Sequence, residues 1–202
     1  MEQNKLYYSQ NWFIPEELDI INFNKETPLD FLEIGSFEGK STIYWLETYL
    51  KNKNSTITCV DPWTSYSQNS NTLNSYGKEN QEWDFTNNYK TFTNNIKISN
   101  FIDKVVVKKG YSHDVLPKLI TEKKLYDLVF IDGNHTSPSV LTDSINSFYL
   151  TKSSGIIIFD DYMWGDINSN NSPKPAIDCF ISIFQSYIDV LFTGYRIVIK
   201  KK

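Results

Sequence analysis

Short apolar runs alternate with helix-length amphipathic segments along this chain, and this alternation constrains the fold more than any other feature. The apolar runs predict strands at 29–34, 56–60, 104–108, 127–131 and 155–159. The amphipathic segments predict helices at 39–51, 84–98, 113–121, 139–150 and 175–187. Such alternation is typical of a mostly parallel sheet that is covered by helices on both faces. We therefore predict a doubly wound α/β fold.

The C-terminal segment departs from this alternation. Residues 189–192 and 195–200 predict two further strands that are joined by the tight turn Thr193-Gly194. A hairpin after five parallel strands makes a seven-stranded sheet that ends antiparallel. The length of 202 residues fits one domain. We expect an N-terminal cap at 1–28 and a single domain at 29–202, with a polar, aperiodic lid insert at about 63–82.

Charge and composition limit the partners that this chain can have. The net charge is −4 and no long basic run is present, which argues against nucleic acid and anionic membranes. No stretch has the roughly 18 apolar residues of a membrane span, and the first residues do not resemble a signal peptide. Cys59 and Cys179 lie in apolar segments and are expected to be buried free thiols. These features favour a cytoplasmic protein, and they are compatible with a homo-oligomer.

Residues at the carboxyl ends of the first three strands are candidates for ligand binding, because open α/β sheets bind ligands there. Gly35 and Gly39 follow the first strand, and their spacing differs from the Gly-x-Gly-x-x-Gly of a dinucleotide site. Asp61 ends the second strand, where a carboxylate can accept both hydroxyls of a ribose. Gly110-Tyr111-Ser112 follows the third strand and could contact an adenine. A plain strand-to-helix turn at Gly35 and a surface turn at Asp61 are the structural alternatives.

In this order, these residues resemble the class I S-adenosylmethionine-dependent methyltransferases. Glu33-x-Gly35-x-x-x-Gly39 is similar to their glycine-rich first motif, Asp61 to their ribose-binding acid, and the C-terminal hairpin to their antiparallel last strand. The resemblance implies a Rossmann-like fold and S-adenosylmethionine as the cofactor. It also implies a set of cofactor-binding residues, namely Glu33, Gly35, Ser36, Gly39, Asp61, Tyr111, Ser112 and Asp132.

Acidic residues follow two more strands, with Asp132 after the fourth strand and Asp160-Asp161 after the fifth. If these strands are neighbours, they lie about 4.8 Å apart and their terminal carboxylates converge. Three close carboxylates require a cation or raised pKa values, and oxygen ligands suit Mg²⁺. The alternative is that the three are unrelated turn or capping residues.

The sequences Ile-Asp-Gly-x-His and Asp-Asp-Tyr around these acids resemble a methyltransferase subgroup that acts on sugar or antibiotic hydroxyls. Some of its members bind Mg²⁺ with these acids, which implies Asp132, Asp160 and Asp161 as metal ligands here, with Asp132 also catalytic. Asn134 stands where some relatives carry an acid, so a carboxylate base at that position is excluded. His135 is the remaining candidate for a general base, beside the alternative of a histidine that orients the loop.

Three other functions compete with metal-assisted methyl transfer to a small-molecule or sugar hydroxyl. The first is metal-free transfer with His135 as the base, and the second is a non-catalytic S-adenosylmethionine-binding protein on the same fold. The third is a nicotinamide oxidoreductase, against which the glycine spacing counts. Tyr162 and Trp164 would either wall the acceptor pocket or pack under a loop. His113 is expected to be structural or exposed.

Overall fold

A computed structural model describes residues 5–64 and 87–202. The strands are β1 (Asp30–Ile34), β2 (Thr56–Asp61), β3 (Val105–Lys109), β4 (Tyr126–Ile131), β5 (Thr151–Phe159), β6 (Ile188–Thr193) and β7 (Ile197–Lys201). The helices are α1 (Lys40–Thr48), α2 (Asn88–Ile98), α3 (Ser112–Thr121), α4 (Ser137–Leu150) and α5 (Lys174–Phe184), with a 3₁₀ turn at Ile102–Lys104. Apart from Trp63 and Thr64, the predicted lid at 63–82 lies outside the described residues.

The seven strands form one sheet in the order β3-β2-β1-β4-β5-β7-β6. The first five in this order are parallel, whereas β7 runs antiparallel to both β5 and β6. This arrangement confirms the predicted fold class. The strand order reverses between β1 and β4, so the carboxyl ends of these two strands flank the crevice where open α/β sheets bind ligands.

Two hydrophobic clusters cover the two faces of the sheet. Phe31 belongs to the first cluster and Leu32 to the second, since successive side chains of a strand point to opposite faces. Trp45 of α1 and Phe92 of α2 pack on the first face, and Leu116 of α3 packs on the second. Helices on both faces explain why the inner strands are apolar without alternation.

Residues 5–28, the described part of the expected cap, contain neither helix nor strand. They pack on the first face through buried Phe13, Leu18 and Ile21. The Tyr49 hydroxyl at the end of α1 donates to the Leu18 carbonyl at 3.1 Å. The segment is therefore fixed to the sheet by side-chain packing and by polar contacts to its backbone.

The two cysteines differ in burial. Cys59 is a buried free thiol on β2, as expected. The prediction for Cys179 was wrong, because this thiol is free but exposed. Helix α5 buries Ala176, Ile177 and Phe180, and Cys179 lies outside that face. Within the described ranges, no helix is both long and apolar enough to cross a membrane.

Candidate active site

Gly35 allows the ends of β1 and β4 to meet. Its φ is +88°, and a Cβ at this position would lie 1.9 Å from the carbonyl oxygen of Asp132. Asp132 N in turn donates to the Ile34 carbonyl at 2.8 Å. Gly39 also has a positive φ of +83°, but a Cβ there would meet only side chains, those of Phe92 at 3.0 Å and Ile96 at 3.7 Å. The predicted glycine turn is therefore a close approach of two backbones at Gly35 and a conformational requirement at Gly39.

Glu33 lies beneath this turn and is fully buried. One carboxylate oxygen accepts a hydrogen bond from the Thr42 hydroxyl on α1. Burial raises the pKa of Glu33. Glu33 Oε1 and the Ser36 hydroxyl make no hydrogen bond of regular geometry with the described residues, although Ser36 lies close enough to Glu33 to oppose the rise of its pKa. Buried polar atoms without regular partners are uncommon, so the hydrogen bonds of this turn are incompletely satisfied next to the crevice.

Asp61 connects the end of β2 to the glycine turn. Its carboxylate accepts hydrogen bonds from Phe37 N at 2.9 Å and from Trp63 N at 2.7 Å. Trp63 Nε1 donates to the Phe37 carbonyl at 2.7 Å, which closes the loop between the two segments. Burial raises the pKa of Asp61, although these backbone donors oppose the shift. Because each carboxylate oxygen has two lone pairs, Asp61 can still accept from ribose hydroxyls.

The carboxyl end of β3 leads directly into α3. Tyr111 caps this helix and is 46% exposed, and Ser112 is its first residue. The Tyr111 and His113 rings stack with their centroids 5.4 Å apart. The His113 side chain is 63% exposed, in agreement with expectation. Tyr111 and Ser112 are thus accessible at the sheet edge where Asp61 also lies.

Asp132, His135 and Asp161 form a compact group at the ends of β4 and β5. His135 Nε2 lies 2.8 Å from Asp161 Oδ2 and 3.9 Å from Asp132 Oδ1. One atom from each of the three residues, of a type that can bind a metal, lies within 4.8 Å of the others. We refer to these three residues as the acidic cluster.

Asp160 does not join the acidic cluster, although the sequence placed it in the metal site. Arg196 Nη2 donates to Asp160 Oδ2 at 2.9 Å, and Arg196 Nε lies 2.8 Å from Asp160 Oδ1. The chain turns directly after Asp160, since Asp161 has a positive φ of 56°, and the two side chains face different neighbours. The structure therefore brings together Asp132, Asp161 and His135 rather than the three carboxylates.

Arg196 is the functional residue that sequence reasoning missed. It is 4% exposed, and its Nη1 also donates to the carbonyls of Ile14 and Glu16 at 2.7 and 2.9 Å. Its neighbour Tyr195 donates through its hydroxyl to Asp161 Oδ1 at 2.7 Å. One feature of the sequence could have drawn attention to it, because Arg196 is the sole arginine in the chain. An arginine that is buried is normally paired with an acid.

The charges of the acidic cluster shift the pKa values of its members. Burial opposes a charged imidazole, but hydrogen bonds and charges from Asp132 and Asp161 raise the pKa of His135 to about 10. Burial and the charge of Asp160 raise the pKa of Asp132 well above its usual value. The pKa of Asp161 is lowered, because His135 outweighs the effect of burial. The two carboxylates beside His135 therefore favour its protonated form, which is not the form that a general base requires.

We expect the His135 ring to stay protonated from pH 6 to pH 8 in metal-free protein, because its pKa is about 10. The ion pair of His135 with Asp161 stabilises the fold fully at a pH below about 6.5, the pKa of a histidine in the unfolded chain. This stabilisation is lost as the pH rises through the folded-state pKa of about 10. Nitrogen-15 NMR of the imidazole would follow this titration, with exposed His113 as the second signal. Asp161→Asn should lower the midpoint, and an unchanged midpoint would contradict the assigned pairing.

The two aromatic candidates have different roles. Tyr162 is 8% exposed within the second hydrophobic cluster, and its hydroxyl donates to Asp178 at 2.8 Å. Tyr162 therefore packs into the core beneath the loop that joins β5 to α5. The Trp164 ring lies 4.7 Å from the His135 ring, centroid to centroid, so of these two candidates Trp164 is the one that lies beside the acidic cluster.

Comparisons with known proteins identify the family and the fold. Residues 32–162 match the model of a family described as a methyltransferase domain. An uncharacterized protein of Acanthamoeba polyphaga mimivirus is 29% identical over 171 residues, which cover 83% of this chain and 66% of that protein. The chain thus spans just under two thirds of the length of that curated relative.

Two solved structures illustrate the similarity of fold. An O-methyltransferase from Bacillus cereus in complex with SAH aligns with a TM-score of 0.62 and 20% identity, over 86% of this chain and 74% of that one. The MycE methyltransferase from the mycinamycin biosynthetic pathway, in complex with Mg and SAH, aligns with a TM-score of 0.59 and 15% identity. The second match covers 96% of this chain and 51% of MycE.

Proposed function

Because this chain belongs to the class I S-adenosylmethionine-dependent methyltransferases, we propose that it transfers the cofactor's methyl group to a hydroxyl of a small molecule. One observation carries this proposal. The glycine turn and Asp61 lie at the ends of β1 and β2, and the acidic cluster lies at the ends of β4 and β5. A cofactor site and a polar reaction site therefore share one edge of the sheet, as methyl transfer from a bound cofactor requires.

The residues at β1 and β2 have the chemistry that S-adenosylmethionine needs. Gly35 brings backbone close to the crevice, and Asp61 has free lone pairs for the ribose hydroxyls. Glu33 Oε1 and Ser36 Oγ, which make no hydrogen bond of regular geometry among the described residues, lie at the same turn. Tyr111 and Ser112 would face the adenine, since they follow β3 on the other side of β2.

Methyl transfer from a sulfonium is an in-line displacement. The acceptor oxygen forms a bond to the methyl carbon while the carbon–sulfur bond breaks, and S-adenosylhomocysteine leaves with that electron pair. The protein aligns these three atoms and excludes water, which is the largest contribution that a site of this kind makes. The acceptor hydroxyl must also lose its proton, either because a divalent ion bound by the acidic cluster lowers its pKa or because His135 accepts the proton after losing its own.

The acidic cluster fits a divalent cation, and we propose Mg²⁺ or Mn²⁺ there. Two carboxylates and one imidazole are a suitable donor set, and the imidazole favours Mn²⁺ more than Mg²⁺. The mutual approach of these atoms to within 4.8 Å supports this assignment, and Mg is bound in MycE. When bound, such an ion fixes an acceptor hydroxyl and lowers its pKa. Asp132, His135 and Asp161 would hold it, with Asp160 kept on Arg196.

Metal-free transfer is the second candidate, and one observation favours it. His135 and Arg196 supply two positive charges to the three carboxylates, so the site is nearly neutral without a metal. To act as the base, His135 must first pass its proton on. Asp132, when it is ionised, is the group placed to take that proton and become neutral, because burial and the charge of Asp160 raise its pKa.

We expect S-adenosylhomocysteine to stabilise the protein. At 100 times its dissociation constant, it should add about 2.7 kcal/mol to the free energy of unfolding, which raises the melting temperature by roughly 5–10 °C. Asp61→Asn should lower affinity, because it removes charge and one acceptor from the ribose site. Thermal denaturation and calorimetry would measure both effects. No shift at millimolar ligand would refute cofactor binding. NADH is the control, because a shift with NADH and none with S-adenosylhomocysteine would indicate a nicotinamide enzyme instead.

A further inference from the structure

Asp143 is a buried carboxylate that has no role in the chemistry above. It lies within α4 and is 1% exposed, and neither of its carboxylate oxygens makes a hydrogen bond of regular geometry within the described residues, although the Ser112 hydroxyl lies close enough to lower its pKa. Buried acidic groups are almost always paired, because an unpaired one loses its hydration without compensation. Asp143 is thus an acceptor that needs a donor.

The surroundings of Asp143 place it at the cofactor end of the sheet. A Cβ at Gly133, directly after β4, would lie 3.8 Å from Asp143 Oδ2. Burial raises the pKa of Asp143 to about 6, while the Ser112 hydroxyl and the charge of His113 lower it. The carboxylate therefore lies between the end of β4 and the first turn of α3. Ser112 is partly exposed, so a ligand would reach Ser112 and not Asp143.

The strand order indicates which end of the cofactor comes to Ser112. The acidic cluster is at β4 and β5, Asp61 is at β2, and α3 begins after β3, in the order β3-β2-β1-β4-β5. With the ribose on Asp61 and the sulfonium directed toward the acidic cluster, the adenine extends the other way, toward Ser112. The exocyclic amine of adenine is a hydrogen-bond donor and requires an acceptor there.

We propose that Asp143 is a positioning residue that makes Ser112 read the exocyclic amine of the cofactor's adenine. A hydroxyl has one proton and two lone pairs, whereas a carboxylate only accepts. If the Ser112 hydroxyl donates to Asp143, its lone pairs must face the ligand and accept from the amine. This inference rests on the proposed function, since it presumes a cofactor that contains adenine.

The test compares S-adenosylhomocysteine with S-inosylhomocysteine, in which a carbonyl replaces the exocyclic amine. Calorimetry of the wild type should give at least about 10-fold tighter binding of the adenosyl ligand. Asp143→Asn can donate to Ser112 and reverse the hydroxyl, so the preference should fall at least about 10-fold. Ser112→Ala should also remove the preference. Ser147→Ala is the control. It removes a buried hydroxyl of α4 that also has no regular hydrogen bond among the described residues, and it should keep the preference for the adenosyl ligand.

Each outcome shows whether Asp143 contributes to recognition of the adenine or only stabilises the fold. If Asp143→Asn weakens both ligands equally, Asp143 only supports the structure and the inference is overturned. A wild type that binds both ligands equally overturns the inference alone, whereas a wild type that binds neither overturns the proposed function as well. If Asp143→Asn does not fold, Ser112→Ala decides, because an unchanged preference in that variant overturns the inference.

Discussion

Gly35→Ala should leave little folded protein, or lower the melting temperature by about 10 °C or more. The φ of +88° costs any L-residue with a side chain about 1–2 kcal/mol. The larger cost comes from the new Cβ, which would lie 1.9 Å from the Asp132 carbonyl oxygen. A backbone carbonyl at a strand end cannot move aside without breaking the contact of β1 with β4, so we expect more than about 4 kcal/mol in total.

Two matched glycine variants show whether the backbone contact is the cause. Gly39→Ala meets only side chains, the nearest being Phe92 at 3.0 Å, and should show mainly the cost of its positive φ. Gly133→Ala would meet the Ile34 side chain at 3.3 Å and should cost less still. Thermal denaturation followed by circular dichroism would rank the three. A Gly35→Ala protein that melts within about 2 °C of the wild type would contradict the account of this turn.

The fold could be predicted because it depends on signals that are local in the sequence. Apolar runs of strand length and amphipathic segments of helix length follow one another, so the period of the pattern identifies each element. All seven strands and five helices are found near the predicted positions. The hairpin turn shows the limit of such signals, because Thr193 still belongs to β6 and the turn follows it.

The site could be predicted only to the level of strand ends. Gly35, Asp61, Asp132 and the Asp160-Asp161 pair lie at the expected edge of the sheet. Which of the two consecutive acids faces Asp132 depends on Arg196, whose partner Asp160 is 36 residues away in the chain. No local pattern links residues at such a separation. The contact of Asp143 with Ser112 is likewise a product of packing between α3 and α4.

The acidic cluster provides the second large effect. If it holds a divalent ion, removal of the ion by a chelator should slow methyl transfer at least about 100-fold, because such an ion supplies several kcal/mol of transition-state stabilisation. Asp161→Asn should reproduce this loss and also abolish Mn²⁺ binding measured by electron paramagnetic resonance. Binding of S-adenosylhomocysteine should change little in either case. Labelled methyl transfer into a metabolite extract would supply the acceptor for the assay.

Variants of Asp160 distinguish the metal ligands predicted from the sequence, which include Asp160, from the acidic cluster, which does not. Asp160→Asn alone leaves the buried Arg196 without a counter-charge, which should cost about 3–5 kcal/mol of stability and confuse any loss of metal binding. The double variant Asp160→Asn, Arg196→Gln replaces the ion pair by a neutral hydrogen-bonded pair. It should retain Mn²⁺ affinity if Asp132, His135 and Asp161 are the ligands. Loss of Mn²⁺ binding in a folded double variant would instead make Asp160 a ligand.

The same measurements decide between the metal-assisted and the metal-free mechanism. Full activity in chelator, together with loss of activity in His135→Ala, would contradict the metal site and make His135 the base that works with Asp132. Under the metal mechanism His135→Ala removes one of three ligands, so it should weaken Mn²⁺ binding while added Mn²⁺ restores part of the activity. Under the metal-free mechanism no concentration of Mn²⁺ can restore it, because the group that accepts the proton is gone.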